Sequence, residues 1–284
     1  MSRGASVCAL RSAPCDHGRR VKLKAVTSRD NPLYKRLRLL ASTAQARKKE
    51  GLSILDGAHL VGAYLEKRGA PEWIVVSESG IKRGEVARLA RACCGEVVQM
   101  PDALFESVSV VEHGAGVLAA VRTPREALPP TIFDDCLLLE HVQDPGNMGS
   151  MLRSAAAAGV RQVFCSPKTV YAWSPKVLRA GQGAHFGLLI VEGVDLDEVI
   201  ARLTIPLIAT SSHAKAWLHQ LDLSRPVAWV FGNEGAGVST ALMKRATWQA
   251  AIPMPGGTES LNVAAAAAIC LFESVRQRHE GKSA

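Results

Sequence analysis

The stretch LLLEHVQDPGNMGSMLRSAAAAG, Leu137 to Gly159, carries the pattern that decides the fold. It opens on an apolar run, turns at Asp144-Pro145-Gly146-Asn147 and continues with small and apolar residues at helical spacing. An apolar run without alternation predicts a strand buried on both faces, as in a parallel sheet covered by helices. Two later blocks repeat the order of strand, turn and helix: VAWVFGNEGAGVS, Val227 to Ser239, and AIPMPGGTESLNVAAAAAI, Ala251 to Ile269. Ligands gather at the carboxyl ends of such strands, so these three turns form the candidate site.

Around the three blocks the same alternation continues. Strands are predicted at 136–140, 162–165, 187–191, 206–210, 227–231 and 249–252, with helices at 149–158, near 175–179, at 197–203, from Ser239 and at 261–278. Alternating strands and helices predict an α/β domain with a mostly parallel sheet. A smaller α/β unit precedes it, with a helix after Asn31-Pro32, helices at 58–67 and 85–92, and strands at 53–55, 73–76, 97–99 and 117–121. The three prolines of RTPREALPP, Arg122 to Pro130, mark a boundary. The expected organisation is a disordered basic leader at 1–24, a first domain at 25–121, a linker at 122–134 and a second domain at 135–284.

Composition narrows the class. The longest apolar stretch, Val263 to Phe272, is too short to span a bilayer, and the basic N-terminus lacks the apolar core of a secretory signal. Seven scattered cysteines fit a reducing compartment, so a cytoplasmic protein is expected. Cys8, Cys15 and His17 are followed by no second ligand pair at finger-like spacing, and no metal site is predicted.

Charge is concentrated at one end. Residues 1–50 carry 13 Lys and Arg against three acids, a balance of +10 where the whole chain carries +8. A basic end on a near-neutral body suits a polyanion, because each neutralised phosphate releases counterions. The candidate nucleic-acid contacts are Arg29, Lys35, Arg36, Arg38, Arg47, Lys48 and Lys49.

Each turn has its own chemistry. Asn147 or Ser150 is suited to cap the helix after the first turn, and Arg153, six residues past Asn147, is expected near the free amides of that helix, where an anion would bind. The second turn, Gly232-Asn233-Glu234-Gly235-Ala236-Gly237, runs G-x-x-G-x-G rather than the dinucleotide G-x-G-x-x-G, and Ile252 stands where an acidic residue would be needed. Glu234 in this turn would repel a pyrophosphate but is able to accept from an amino group or from backbone. In the third block, Ser260 and Asn262 put neutral donors and acceptors at the mouth of the last helix. A P-loop lysine, an HxxxH pair and a Ser/His/Asp elbow are all missing, which leaves NTPase and hydrolase readings without an anchor.

The order and spacing of the three blocks resemble the SpoU/TrmH family of RNA 2′-O-ribose methyltransferases, within the SPOUT superfamily. Asn147, Gly149 and Arg153 resemble its first motif, Gly232-Asn233-Glu234-Gly235 with Gly237 its second, and Ile252-Pro253-Met254 with Ser260-Leu261-Asn262-Val263 its third. The likeness covers about 135–278, including RAGQGAHF (Arg179 to Phe186), while 25–121 is similar to the family's ribosomal-protein-like substrate-binding domain.

The resemblance implies a deep trefoil knot in the second domain, S-adenosylmethionine as cofactor, homodimerisation through the knot helices and an RNA substrate, ribosomal rather than transfer RNA. It places the cofactor at Thr210, Ser211, Gly232, Asn233, Glu234, Gly235, Ile252, Met254, Leu261 and Asn262. It assigns catalysis to Arg153, Asn147, Ser260 and Asn262, with Arg153 on the RNA phosphate and the reacting hydroxyl. The rival readings are a non-catalytic RNA-binding protein and a nucleotide-dependent oxidoreductase. The first is opposed by the joint presence of Asn147, Arg153, Glu234, Ser260 and Asn262, and the second by the missing dinucleotide fingerprint.

Overall fold

A computed structural model describes residues 23–93, 96–111 and 114–280. Its elements in chain order are β1 (Leu23–Ala25), α1 (Pro32–Ser42), α2 (Ala44–Glu50), β2 (Leu52–Asp56), α3 (Ala58–Arg68), β3 (Trp73–Ser77), α4 (Gly84–Ala92), β4 (Glu96–Met100), α5 (Asp102–Glu106) and β5 (Val117–Arg122). The second half contains β6 (Cys136–Leu139), α6 (Pro145–Ala157), β7 (Gln162–Cys165), α7 (Pro175–Gly181), β8 (Leu189–Glu192), α8 (Leu196–Ile200) and β9 (Leu207–Thr210). It ends with β10 (Ala216–Trp217), β11 (Ala228–Phe231), α9 (Thr240–Arg245), β12 (Trp248–Ala251) and α10 (Val263–Glu280). No helix among the described residues is long and apolar enough to cross a membrane.

Packing divides the chain into two compact units. One holds Asp56–Val121 with the described residues up to Arg38, and the other holds Leu39–Leu55 with the described residues from Arg122 onward. The expected single block at 25–121 is therefore interrupted at residues 39–55, which are grouped with the second unit while β2 keeps its place as the last strand of the first sheet. The leader expected at 1–24 also needs correction at its end: Leu23 and Lys24 belong to β1, paired in parallel with Val97 and Val98 of β4. Residues 1–22, with Cys8, Cys15 and His17, lie outside the described residues.

The first sheet has the order β1-β4-β3-β5-β2, with β3 and β4 parallel and β5 antiparallel to β3. The second has the order β10-β12-β9-β11-β6-β7-β8, and each neighbouring pair in it is parallel. Every residue of β6 and β11 is buried, which is why their sequences run apolar without alternation. Cys136 and Leu138 join Phe164, Val191, Ala209 and Val230 in one apolar cluster. On the other side α6 packs against α7 and α10. Gly149 makes the first of these contacts possible, because a Cβ there would lie 2.4 Å from Ala180 Cβ and 2.7 Å from the Val177 carbonyl oxygen.

Candidate functional site

Parallel pairing brings the carboxyl ends of four neighbouring strands to one edge. Val230 aligns with Ala209, Ala250 with Thr210, and Phe231 with Leu139. The segments that follow, from Thr210 and Ser211, Gly232, Ile252 and Glu140, therefore leave the sheet side by side.

The first turn starts α6 earlier than its sequence suggests. Asp144, not Asn147 or Ser150, is the N-cap: its carboxylate oxygen accepts from the Asn147 amide at 2.7 Å, and Pro145 fills the first helical position. The sequence signal was the Asp-Pro pair itself. This shift corrects the setting of Arg153. It lies eight residues past Pro145, roughly 12 Å along the axis at 1.5 Å per residue, well beyond the free amides of the first turn. Its side chain is exposed and makes no hydrogen bond or ion pair among the described residues.

The second turn is closed by Asn233 and Gly237, whose amides and carbonyls exchange bonds of 3.1 and 2.8 Å. Gly237 takes a φ of 69°, and a Cβ on Gly232 would fall 2.0 Å from the Gly237 carbonyl group, so the turn is backbone packed on backbone. The Asn233 side chain is fully used inside the protein. Its oxygen accepts from Gly235 N and Ala236 N at 3.0 and 3.1 Å, and its Nδ2 donates to the His141 carbonyl at 3.0 Å.

Glu234 reaches across to the first turn. Its carboxylate accepts from Asp144 N at 3.0 Å, Gln143 N at 3.2 Å and Asn147 Nδ2 at 3.1 Å. Partial burial would raise its pKa, but the bonds from Asp144, Asn147 and Gln143 together outweigh that and hold it below the ordinary value. Glu234 and Asn233 thus brace the turn.

The third block joins the same network. Asn262 caps α10, with Oδ1 accepting from Ala264 N at 2.9 Å and Ala265 N at 3.3 Å, while Nδ2 donates to Asn147 Oδ1 at 2.8 Å. Asn147 is therefore held between Glu234 and Asn262. Ser260 and Leu261 precede the helix, not within it; Ser260 is exposed and Leu261 keeps 39% of its surface. Met254 and Gly257 form a turn through a 3.1 Å bond, and Ser211 N donates to the Ala250 carbonyl at 3.0 Å.

These features fit S-adenosylmethionine. The Gly232 turn, too tight for any side chain at Gly232, exposes Gly235, and half-buried Ile252 and Met254 with exposed Leu261 give apolar surface for a neutral purine. The residues able to hold it are Thr210, Ser211, Gly232, Gly235, Ile252, Met254 and Leu261.

The basic residues are divided between the units. Arg29, Lys35, Arg36 and Arg38 are exposed on the first, where Lys35 pairs with Asp30 at 3.1 Å and Arg36 lies 4.6 Å from the Trp73 ring. Lys48 and Lys49 are exposed on the second, with Lys48 over the Tyr171 ring at 5.1 Å. Arg47 must be removed from the RNA-facing set. It is buried at 5% exposure and donates from Nη1 to the carbonyls of Leu40 and Ala41 at 2.6 and 3.2 Å, satisfying the end of α1.

The candidate site is thus a set of backbone-rich turns at the carboxyl edge of a parallel α/β sheet, with exposed cations on both units. The SpoU rRNA Methylase family model matches residues 135–272. An uncharacterized tRNA/rRNA methyltransferase of Synechocystis sp. is 33% identical over 261 residues, covering 90% of this chain and 95% of that protein. The 23S rRNA (guanosine(2553)-2′-O)-methyltransferase RlmP of Bacillus subtilis is 30% identical, over 88% of this chain and 98% of its own. The crystal structure of the SpoU methyltransferase AviRb from Streptomyces viridochromogenes in complex with AdoMet matches with a TM-score of 0.80 at 26% identity, covering 88% and 98% of the two chains. The chain belongs to the SpoU rRNA methylase family, as an RNA 2′-O-ribose methyltransferase with S-adenosylmethionine as its cofactor.

Proposed function

We propose that this protein methylates a ribose 2′-hydroxyl of 23S ribosomal RNA, using Arg153 as the residue that positions the acceptor. One observation carries the assignment of roles: Glu234, Asn147 and Asn262, one from each block, form a continuous hydrogen-bonded chain that fixes the three turns together. Bound at the Gly232 turn, S-adenosylmethionine supplies a methyl group on a sulfonium leaving group. What remains for the protein is to orient the hydroxyl and let its proton depart.

A guanidinium is a cationic donor with no lone pair free to accept a proton, so Arg153 serves as an electrostatic positioner rather than a base. Its exposed fork, without a hydrogen bond or ion pair among the described residues, suits a phosphate of the RNA. The Ser260 hydroxyl, likewise without a hydrogen bond among the described residues, is available to the acceptor ribose.

The exposed apolar residues Leu261, Ile269 and Phe272 along and beside α10 support a homodimer through this helix. A deep trefoil knot in the second unit, and RNA binding by the ribosomal-protein-like first unit, belong to the same reading. So does the cytoplasm, which the four buried free cysteines Cys93, Cys136, Cys165 and Cys270 suit.

Mapping ribose methylations in cellular RNA with and without the gene tests the substrate. Loss of one 23S rRNA site supports the proposal. Loss confined to transfer RNA, or no loss at all, overturns it.

A further inference from the structure

The first and second turns exchange carboxylates. Glu234 leaves the second turn to hold amides of the first, and Glu140 does the reverse. Glu140 directly follows β6, and its carboxylate accepts from the Ser239 amide at 2.7 Å, across 99 positions of sequence. Its own amide donates to the Phe231 carbonyl at 2.9 Å, extending the β6 to β11 pairing one residue past β6.

Glu140 is only 8% exposed. A carboxylate is costly to bury, so a residue of this type inside the site edge calls for a reason beyond helix capping. Capping does not supply one, since Ser239 caps α9 with its own hydroxyl, accepting from Leu242 N at 3.3 Å. What the Glu140 bond adds is a fixed exit for the turn that begins at Gly232. The backbone of Gly237 and Val238 lies directly on Gly232: a Cβ there would meet Gly237 C at 2.0 Å and Val238 N at 2.2 Å. Holding the next residue, Ser239, sets how that backbone is laid down.

We propose that Glu140 is a positioning residue for S-adenosylmethionine: it clamps the exit of the Gly232 turn so that the turn's backbone groups are held in binding geometry. The inference rests on the reading of this turn as part of the cofactor site.

Calorimetry with S-adenosylmethionine on the full-length protein, together with binding to a 23S rRNA fragment, tests it. Losing a hydrogen bond to a charged acceptor is expected to raise the cofactor Kd about tenfold or more in Glu140→Ala, with the RNA Kd changed less than about twofold. Glu140→Gln keeps an oxygen that accepts from Ser239 and is expected to restore most of the affinity. Ser239→Pro removes the donor at a φ of −61° that suits proline, and Ser239→Ala keeps it. This pair reads the same bond should Glu140→Ala fold poorly, and the proline variant is expected to show the greater loss of cofactor. Unchanged cofactor affinity in Glu140→Ala and Ser239→Pro, or a parallel loss of cofactor and RNA binding in both, overturns the inference. Failure of the unaltered protein to bind S-adenosylmethionine overturns instead the reading beneath it.

Discussion

Asn262 donates from Nδ2 to Asn147 Oδ1 at 2.8 Å, joining residues 115 positions apart. Through this bond the cap of α10 and the entry of α6 become one object, and Glu234 on the far side of Asn147 ties in the second turn. Asn262 has two duties that substitution separates. Asn262→Asp keeps an acceptor for the Ala264 and Ala265 amides, and a carboxylate is welcome at a helix N-terminus, so stability is expected to hold. The same change sets an oxygen against Asn147 Oδ1, and methylation is expected to fall about tenfold or more. Asn262→Ala loses both duties, adding a stability loss of about 1 kcal/mol. Turnover and urea melts on the pair distinguish the two effects.

The state of Glu234 predicts a pH dependence. Its pKa is held below 4.5 in the fold because, against the effect of burial, the Asp144, Asn147 and Gln143 donors favour the charged form. A depressed carboxylate contributes stability that is present above the unfolded value and is lost as pH falls through the folded one. Cofactor affinity is therefore expected to be insensitive to this group from neutral pH down to the ordinary carboxylate range, and to fall below it. Glu234→Gln, which exchanges one accepting oxygen for a donor facing donors, is expected to weaken binding already at pH 7. A cofactor Kd measured across this range checks both arms.

His185 predicts a loss in the same direction from a different cause, burial of a neutral ring rather than hydrogen bonds to a charged group. Burial pushes its imidazole down to about 4, opposed by the Ala172 carbonyl on Nε2 at 2.9 Å. The unfolded chain takes up a proton near 6.5, while the folded chain does so only near 4, so the stabilising effect is complete above 6.5 and declines between these values. At 1.36 kcal/mol per unit, roughly 3 kcal/mol is at stake. The ring also packs against Gly181, where a Cβ would come within 2.6 Å of Cε1. Denaturant melts at pH 7 and pH 5 are expected to show a steeper loss for the unaltered protein than for His185→Phe, even though the phenylalanine variant starts lower.

Six of the seven strands of the second sheet were legible because burial on both faces writes itself as an unbroken apolar run, as in Cys136 to Leu139 and Ala228 to Phe231, while the two-residue β10 was not. Elements without that mark were not. β1 is three exposed residues, recognisable only through its partner β4, and α2, AQARKKE, has no apolar stripe. Arg47 read as one more surface cation because its partners Leu40 and Ala41 come into reach only once the chain turns at Thr43. At the site, residue types and order singled out the three turns, yet the side-chain pairings among them span 87 to 115 positions and follow from strand register, which periodicity does not encode. That is why Glu140 passed as the end of a strand.

Arg153 separates chemistry from architecture most sharply. It stands exposed on the third turn of α6 with no hydrogen bond or ion pair among the described residues, so it is not bonded to the braces of the site, Glu234, Asn147 and Asn262. Its removal therefore leaves the cofactor turn and the fold without a lost contact, and the midpoint of unfolding and the S-adenosylmethionine Kd are expected to remain at their original values in Arg153→Ala. Turnover is expected to fall on the order of a hundredfold, the scale of losing orientation of a reacting group. Arg153→Lys keeps the charge but replaces the planar fork with a point charge, so it is expected to recover RNA affinity more than turnover. Single-turnover methylation beside RNA binding reads this directly, and an Arg153→Ala enzyme with near-normal turnover would remove Arg153 from the reaction.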